Sequence, residues 1–413
     1  MFFSRNLVTS AVFGGALLGA APAWALDGEA FAKALSDAAQ AQGILIGYDS
    51  ATVDGVDVVV SGMTFGLAAM VAEGSDTTAE VSDEVRFENV QELDGGGYIV
   101  GRVGRADVGQ TFPKSATNSN EVQYSIGEWG IEGLKIAGES AAPELKGANA
   151  GLFYDRMFIE NFALVVDGKD AITLENAQSL SEIDGERALI DASMDGFVFD
   201  LTTVDEPEMT AWREGTGYDE IRATYVAQGS WDLASGELDA PTNTLTLENM
   251  GQLNIDMNLG GYTPQFVDSL QGLTKDMNSG DEQRMQAASM QVMGLVSQLT
   301  FGRFVVKFQD GGMTDNLLEY YAAENGATRA ELVAQANGMA PLLLGQLQAP
   351  ELQAEVADAL KTFLNDPQSM TISLSPDAPV PFPVLMGAAM SSPAELVRAL
   401  NASVTANQAG AAQ

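Results

Sequence analysis

The chain of 413 residues contains no cysteine and no histidine. Those two absences exclude disulfides, cysteine nucleophiles, Ser-His-Asp triads and metal sites built on Cys or His ligands. Any catalysis would have to use carboxylates, hydroxyls, Lys, Arg or Tyr, without the usual general base. We therefore expect a protein without enzymatic activity, and the sequence indicates no catalytic residue, no cofactor and no metal ligand.

Basic residues are scarce as well. Lys and Arg number 20 against 57 Asp and Glu, which gives a net charge of -37 at pH 7. A field of that sign repels nucleic acid and anionic lipid headgroups, so we expect neither as a partner. Solubility in a saline medium is one explanation of the excess acid, and the other is a store of divalent cations or a docking face for a basic protein partner.

The first 25 residues have the pattern of a cleaved secretory signal. Arg5 is their only charge, Leu7–Leu18 is apolar, and Ala23-Trp24-Ala25 has the small-x-small form that precedes a cleavage site. We expect export to a bacterial periplasm, with release outside the cell as the alternative. Since no later run approaches 18 apolar residues, we expect no transmembrane segment in the mature chain.

Residues 26–261 are predicted to be mainly antiparallel β-structure after one short helix capped by Asp27. Strands are indicated by Val56–Val60, Tyr98–Val103 and the alternating run Leu253–Leu259. This region is strongly acidic, with 12 basic and 42 acidic side chains.

Asp-Gly pairs predict the tight turns that join neighbouring strands, because they accept positive φ angles. They occur at 27–28, 54–55, 94–95, 167–168, 184–185, 195–196 and 310–311. An apolar-x-apolar-Glu-Asn pattern recurs at Val85–Asn89, Ile172–Asn176 and Leu245–Asn249, and Phe158–Asn161 is close to it. It indicates either a duplicated β-unit or strands that end in polar Asn turns.

Residues 262–401 are predicted to be rich in helix. Helical patterns cover 265–275, 282–299, 314–324, 328–347, 350–364 and 393–400, and two strands are expected at 301–308 and near 370–374. We expect Pro376–Pro383 to be extended and 402–413 to be a disordered tail. Either a domain boundary lies near residue 261, or the later strands complete the first sheet. The predicted fold is α+β: an extended antiparallel sheet with a C-terminal helical portion packed on it.

The acid-dense stretch from Glu182 to Asp195 lacks the ligand order of an EF-hand loop. It is compatible with weak Ca²⁺ binding or with solvated carboxylates on a hairpin. Paired carboxylates elsewhere leave a glycan hydrolase open as a function class, although no pair stands out.

Methionine is concentrated late in the chain, with 11 of 17 residues from position 250 onward. Met285, Met290, Met293 and Val296 lie on one predicted helix and indicate either core packing or an adaptable apolar groove. The signal, the leading helix and the acidic, hairpin-rich sheet together are similar to those of periplasmic lipid-handling proteins. We therefore expect a non-enzymatic binder of a lipid-like or other apolar small molecule, held between sheet and Met-rich helices. The alternatives are an envelope interaction protein that uses its acidic face and a carboxylate-only glycan hydrolase.

Overall fold

Within the described part of the chain, 17 strands form one antiparallel sheet. The fold is that of a computed structural model, which describes residues 26–41, 43–67, 79–93, 96–115, 119–138, 152–277, 281–345 and 349–408. The predicted signal segment and residues 409–413 lie outside the described residues, as does the Asp-Gly pair at 94–95.

The bounds of the elements are as follows. The strands are β1 (Ile44–Gly47), β2 (Ser50–Asp54), β3 (Asp57–Leu67), β4 (Ala79–Glu92), β5 (Tyr98–Phe112), β6 (Val122–Ile136), β7 (Leu152–Phe153), β8 (Arg156–Val166), β9 (Lys169–Asp184), β10 (Arg187–Asp200), β11 (Glu220–Asp232), β12 (Glu237–Leu247), β13 (Gly251–Gly260), β14 (Thr300–Asp310), β15 (Ser369–Leu374), β16 (Val380–Pro381) and β17 (Ala402–Ala406). The helices are α1 (Gly28–Ala41), α2 (Pro207–Thr216), α3 (Pro264–Met277), α4 (Glu282–Val296), α5 (Met313–Glu324), α6 (Arg329–Leu344), α7 (Pro350–Asn365), α8 (Phe382–Ser391) and α9 (Pro393–Ala399), with a 3-10 turn at Leu201–Thr203.

The sheet is a meander in which nearly every strand pairs with the next one along the chain. One edge is formed by β1 and β2, which both pair with β3, and the other edge by β17, which pairs with β15. The two-residue strand β7 lies beside β6, which pairs with β5 on one side and with β7 and β8 on the other. This architecture confirms the predicted α+β class with helices mostly in the C-terminal part.

Three of the predicted Asp-Gly turns connect strands, with Gly55, Gly168 and Gly185 at positive φ. The pair at 195–196 is an exception, because it lies inside β10 rather than between strands. The pair at 310–311 joins β14 to α5, and the pair at 27–28 begins α1, whose first amides bond to the Asp27 carboxylate.

The sheet continues past residue 261, since β14 pairs with β13 along its whole length and β15 and β17 follow it. The expected tail is therefore strand at Ala402–Ala406. The side chain of Asn407 fixes that strand: its oxygen accepts from the amides of Gln368 and Ser369, and its amide nitrogen donates to the carbonyl of Asp366. The expectation for 376–383 is also corrected, because α8 begins at Phe382, with Pro383 in the first turn, where a proline loses no helical hydrogen bond.

The best-packed core lies at the N-terminal end of the sheet. The ring of Phe31 in α1 is fully buried and contacts Phe87 and Tyr98, at centroid distances of 5.0 and 5.3 Å. Val58 and Val100, also fully buried, belong to the same cluster. Smaller clusters lie under α2, α3 and α4, so the hydrophobic core is divided rather than continuous.

Candidate ligand-binding face

One face of the sheet is apolar over many strands, and we refer to it as the apolar face. Residues directly opposite each other in an antiparallel pair lie on the same face. Successive cross-strand partners from β6 to β15 trace one such row: Trp129, Ile159, Ala177, Met194, Tyr225, Leu245, Leu253, Phe308 and Met370. The row is continuous only because every strand in it places an apolar side chain on the same face, so it is a property of the whole sheet.

The opposite face is polar and carries ion pairs. The guanidinium of Arg303 donates to the carboxylates of Asp256 at 2.7 Å and Asp239 at 2.9 Å. Burial by itself would lower the pKa of Arg303. The hydrogen bonds and negative charges of these two carboxylates outweigh that effect, so the pKa of Arg303 is raised. Nearer the N-terminal end of this face, Arg156 lies over the ring of Phe158, 4.0 Å from its centroid. The two faces therefore differ sharply in chemistry.

The apolar face stays continuous although the alternation within single strands shifts. In β8, Met157 and Ile159 lie on the apolar face before Asn161. After Asn161, Phe162 and Leu164 are the residues with apolar cross-strand partners on β9, whereas Ala163 between them pairs with a threonine. Asn161 has a φ of 54°, a left-handed conformation that Asn tolerates better than most residues. A left-handed Gly196 marks a similar shift in β10. These two residues shift the alternation of β8 and β10 and keep the apolar side chains of both strands on the same face.

Helices cover both ends of the apolar face. At one end α1 places Phe31 over Phe87, whose row continues to Val103, Ile131 and Met157. At the other end α7 packs against β15 and β17. There the ring of Phe363 contacts Phe308 edge-on, with centroids 6.1 Å apart.

The ends of the middle strands are covered too. At one end, Val267 of α3 packs with Trp231 and Ala188, and the indole nitrogen of Trp231 donates to the carbonyl of Tyr262 at 2.7 Å. At the opposite end, Met209 and Trp212 of α2 pack against the buried cluster of Leu201, Tyr218 and Met250, and so do the strand residues Phe199, Ile221 and Leu247.

Between these covered margins lies an apolar area that we call the ligand floor. Its most exposed side chains are Met157 (44%), Ile190 (41%) and Met257 (37%). The ligand floor consists of the apolar-face residues of β8–β13, chiefly Met157, Ile159, Ala177, Ile190, Met194, Tyr225, Leu245, Leu253, Ile255 and Met257. Its one amide side chain, Asn243, donates to the carbonyls of Ala240 and Ile255, so it makes its bonds within the sheet. A contiguous exposed apolar area of this kind is the usual mark of a binding surface.

The predicted groove residues lie elsewhere, on α4. Met285, Met290 and Met293 are 42%, 72% and 64% exposed, while Val296 is partly buried. The buried side chains of α4 are Ala288 and Leu295, which form a cluster with Leu273 of α3. A cleft of about 430 Å³ between the two helices is lined by Leu273, Leu295 and several polar residues and by none of the three methionines.

The sequence therefore predicts a groove on one helix and does not identify the ligand floor. The alternation of Leu253, Ile255 and Met257 predicts one strand with an apolar side, but it does not show that the neighbouring strands share that side. The same alternation occurs in β8–β12, but each strand shows it over only a few residues, and small residues such as Ala177 and Ala192 weaken it.

Three carboxylates of the sheet and its turns accept hydrogen bonds from backbone N–H groups. Hydrogen bonds from the backbone N–H of Asn89, Glu121 and Ser235 lower the pKa values of Asp57, Asp167 and Asp232, respectively. A glycosidase acid needs the reverse shift. No group of three acidic side chains suited to a metal ion occurs among the described residues, including the hairpin from Glu182 to Asp195.

Comparison with known proteins gives a partial match. Residues 244–407 match a family model described as "Uncharacterized protein", which is less than half of the chain. This segment begins within β12 and ends after β17, so it contains the last strands and α3–α9. No curated protein matches the chain. None of the helices in the described ranges has the length and hydropathy that crossing a bilayer requires.

Proposed function

We propose that the protein is an exported, non-enzymatic binder of lipid-like molecules, and that it holds the apolar part of its ligand on the ligand floor. The observation that supports this proposal is the exposed apolar surface of β8–β13 between two ends covered by α1 and α7. Apolar side chains at such exposure gain free energy when an apolar ligand removes them from water, by about 25 cal/mol for each Å² covered.

The dimensions of the ligand floor suit an extended acyl chain. Neighbouring strands lie about 4.8 Å apart, so the six strands β8–β13 span about 24 Å from first to last. A lipid chain reaches about 15 Å, half of the ~30 Å hydrocarbon core of a bilayer. One chain lying across the strands therefore fits within the ligand floor without meeting α1 or α7.

Two positions of equal exposure on opposite faces allow a matched test. Ile190 lies on the ligand floor and is 41% exposed, and Val226 on the adjacent strand lies on the polar face and is 43% exposed. Their hydrophobic losses are alike, because each Val or Ile is replaced by Glu at an accessible site. Only Ile190→Glu places a charge where the acyl chain would lie.

The experiment is native mass spectrometry of the full-length protein, expressed with export and purified without detergent, before and after incubation with a C16 monoacyl lipid. We expect a bound lipid mass on the wild-type protein and on Val226→Glu, and at least a tenfold lower occupancy on Ile190→Glu. Equal occupancy in both variants would place the ligand elsewhere. A bare protein mass in every sample would contradict lipid binding and favour a protein partner for the acidic surface.

A further inference from the structure

At its N-terminal end, the apolar row of the ligand floor is followed by a positively charged side chain. The cross-strand partner of Ile159 is Trp129, and the partner of Trp129 on β5 is Arg105. Arg105 lies two residues from the buried Val103, on the same face and before the left-handed Asp107. Its side chain is exposed. A guanidinium therefore stands on the apolar face, about two strand spacings, or ~10 Å, from the first strand of the ligand floor.

We infer that the ligand is a phospholipid with a zwitterionic headgroup, whose phosphate binds Arg105 while its acyl chain lies on the ligand floor. This inference rests on the proposed function. The row Arg105, Trp129, Ile159 and onward has the layout of an amphiphile: a planar cation suited to phosphate, then an aromatic residue, then apolar side chains. Arg binds phosphate through paired N–H donors, and Trp is favoured where an apolar region meets a polar one.

The charge of the chain favours a headgroup that also carries a positive group. Only 20 basic side chains face 57 acidic ones, so a ligand with net negative charge meets repulsion from most of the surface. At 0.15 M ionic strength that repulsion is screened beyond about 8 Å, which leaves local groups to decide binding. A zwitterionic headgroup offers a phosphate to Arg105, and its positive group cancels the net charge that the acidic surface would repel.

The test compares three C16 probes that share the acyl chain: a lysophosphatidylcholine, a lysophosphatidylglycerol and a monoacylglycerol. Binding to the full chain is measured by intrinsic tryptophan fluorescence in 0.15 M NaCl, below the concentration at which the probes form micelles. The variant Arg105→Gln removes the cation, and Arg187→Gln removes one positive charge from an exposed site on the polar face, where it serves as the control.

We expect wild-type protein to bind the zwitterionic probe most tightly. Arg105→Gln should weaken that binding about tenfold, to the level of the monoacylglycerol, and leave the monoacylglycerol itself unchanged. Arg187→Gln should change neither. If all three probes bind equally and Arg105→Gln has no effect, the headgroup inference is overturned and the proposed function stands. If the lysophosphatidylglycerol binds most tightly, the zwitterionic assignment is wrong. If none binds, the proposed function itself fails.

Discussion

The carboxylate of Glu29 in α1 accepts a hydrogen bond of 2.8 Å from the backbone N–H of Ala51 in β2. The same relationship recurs at the other edge of the sheet, where Glu355 of α7 accepts from the backbone N–H of Val404 in β17 at 3.4 Å. Ser36 adds a bond to the carbonyl of Ile46 in β1. An edge strand with unpaired backbone groups is a template for pairing with another chain. Both edges of this sheet thus have helical side chains bonded to their backbone.

Removing these edge contacts should promote self-association. We expect Glu29→Ala and Glu355→Ala to lower the free energy of unfolding by about 1 kcal/mol each, the usual net value of one hydrogen bond. The double variant should also form oligomers at high protein concentration. Urea melts and light scattering after size exclusion measure the two effects.

The control for this prediction is Asp37→Ala. Asp37 is an exposed residue of α1 that pairs with Lys33 and does not bond to an edge strand in the described contacts. A double variant that remains monomeric at every concentration would show that the carboxylates do not protect the edges.

The left-handed Asn161 should be a sensitive position in the sheet. With φ of 54°, it adopts a conformation that costs a β-branched residue roughly 1–2 kcal/mol and glycine nothing. We therefore expect Asn161→Val to lower the free energy of unfolding by that amount and Asn161→Gly to leave it nearly unchanged, as measured by urea melts.

Asn176 provides the matched control, because it follows a Glu in the same sequence pattern and is absent from the positive-φ residues. Asn176→Val should cost less than Asn161→Val. Equal losses at the two positions would mean that the side-chain change, and not the backbone conformation, decides the effect.

Acid should destabilise the sheet through carboxylates such as Asp232. Hydrogen bonds from Ser235 hold the pKa of Asp232 below its ordinary value of 3.8, so the unfolded chain binds a proton more readily than the folded one. The stabilisation is therefore complete well above pH 3.8 and is lost as the pH falls through the lower, folded-state pKa.

We expect Asp232→Asn to be less stable than the wild type at pH 7, and the difference to shrink as the pH falls below about 3.8. Urea melts in 0.5 M NaCl, where repulsion among the other carboxylates is screened, measure this difference. A difference that stays constant between pH 7 and pH 2 would contradict the assigned role of the Ser235 bonds.

The fold was predictable from local patterns because most of its pairings are local. The Asp-Gly pairs at 54–55, 167–168 and 184–185 each identify a turn between strands that then pair with each other. Helix signals were equally direct: the Asp27 cap begins α1, and Thr328 and Glu331 form a reciprocal capping pair before α6.

The ligand floor was not predictable in the same way, because it depends on register across six strands. Met194, Tyr225 and Leu245 become neighbours only when β10, β11 and β12 pair as they do, with one-residue shifts near Phe197 and Ser230. The Glu-Asn pattern was visible but ambiguous. Asn89 and Asn161 have positive φ inside strands, and Asn249 has positive φ in a turn. Asn176 lies inside β9 and is not among the residues with positive φ. The same Glu-Asn pair thus occurs in three different backbone conformations.

Because the sheet is a meander, insertion or deletion of one hairpin can change its length. Each strand from β9 to β13 pairs only with the strands next to it in the chain, and α1 and α7 close the ends independently of how many strands lie between them. Inserting or deleting one hairpin would lengthen or shorten the sheet by two strand spacings, about 10 Å, and leave both end caps in place. The extent of the apolar face can therefore change by whole hairpins while the terminal elements are retained.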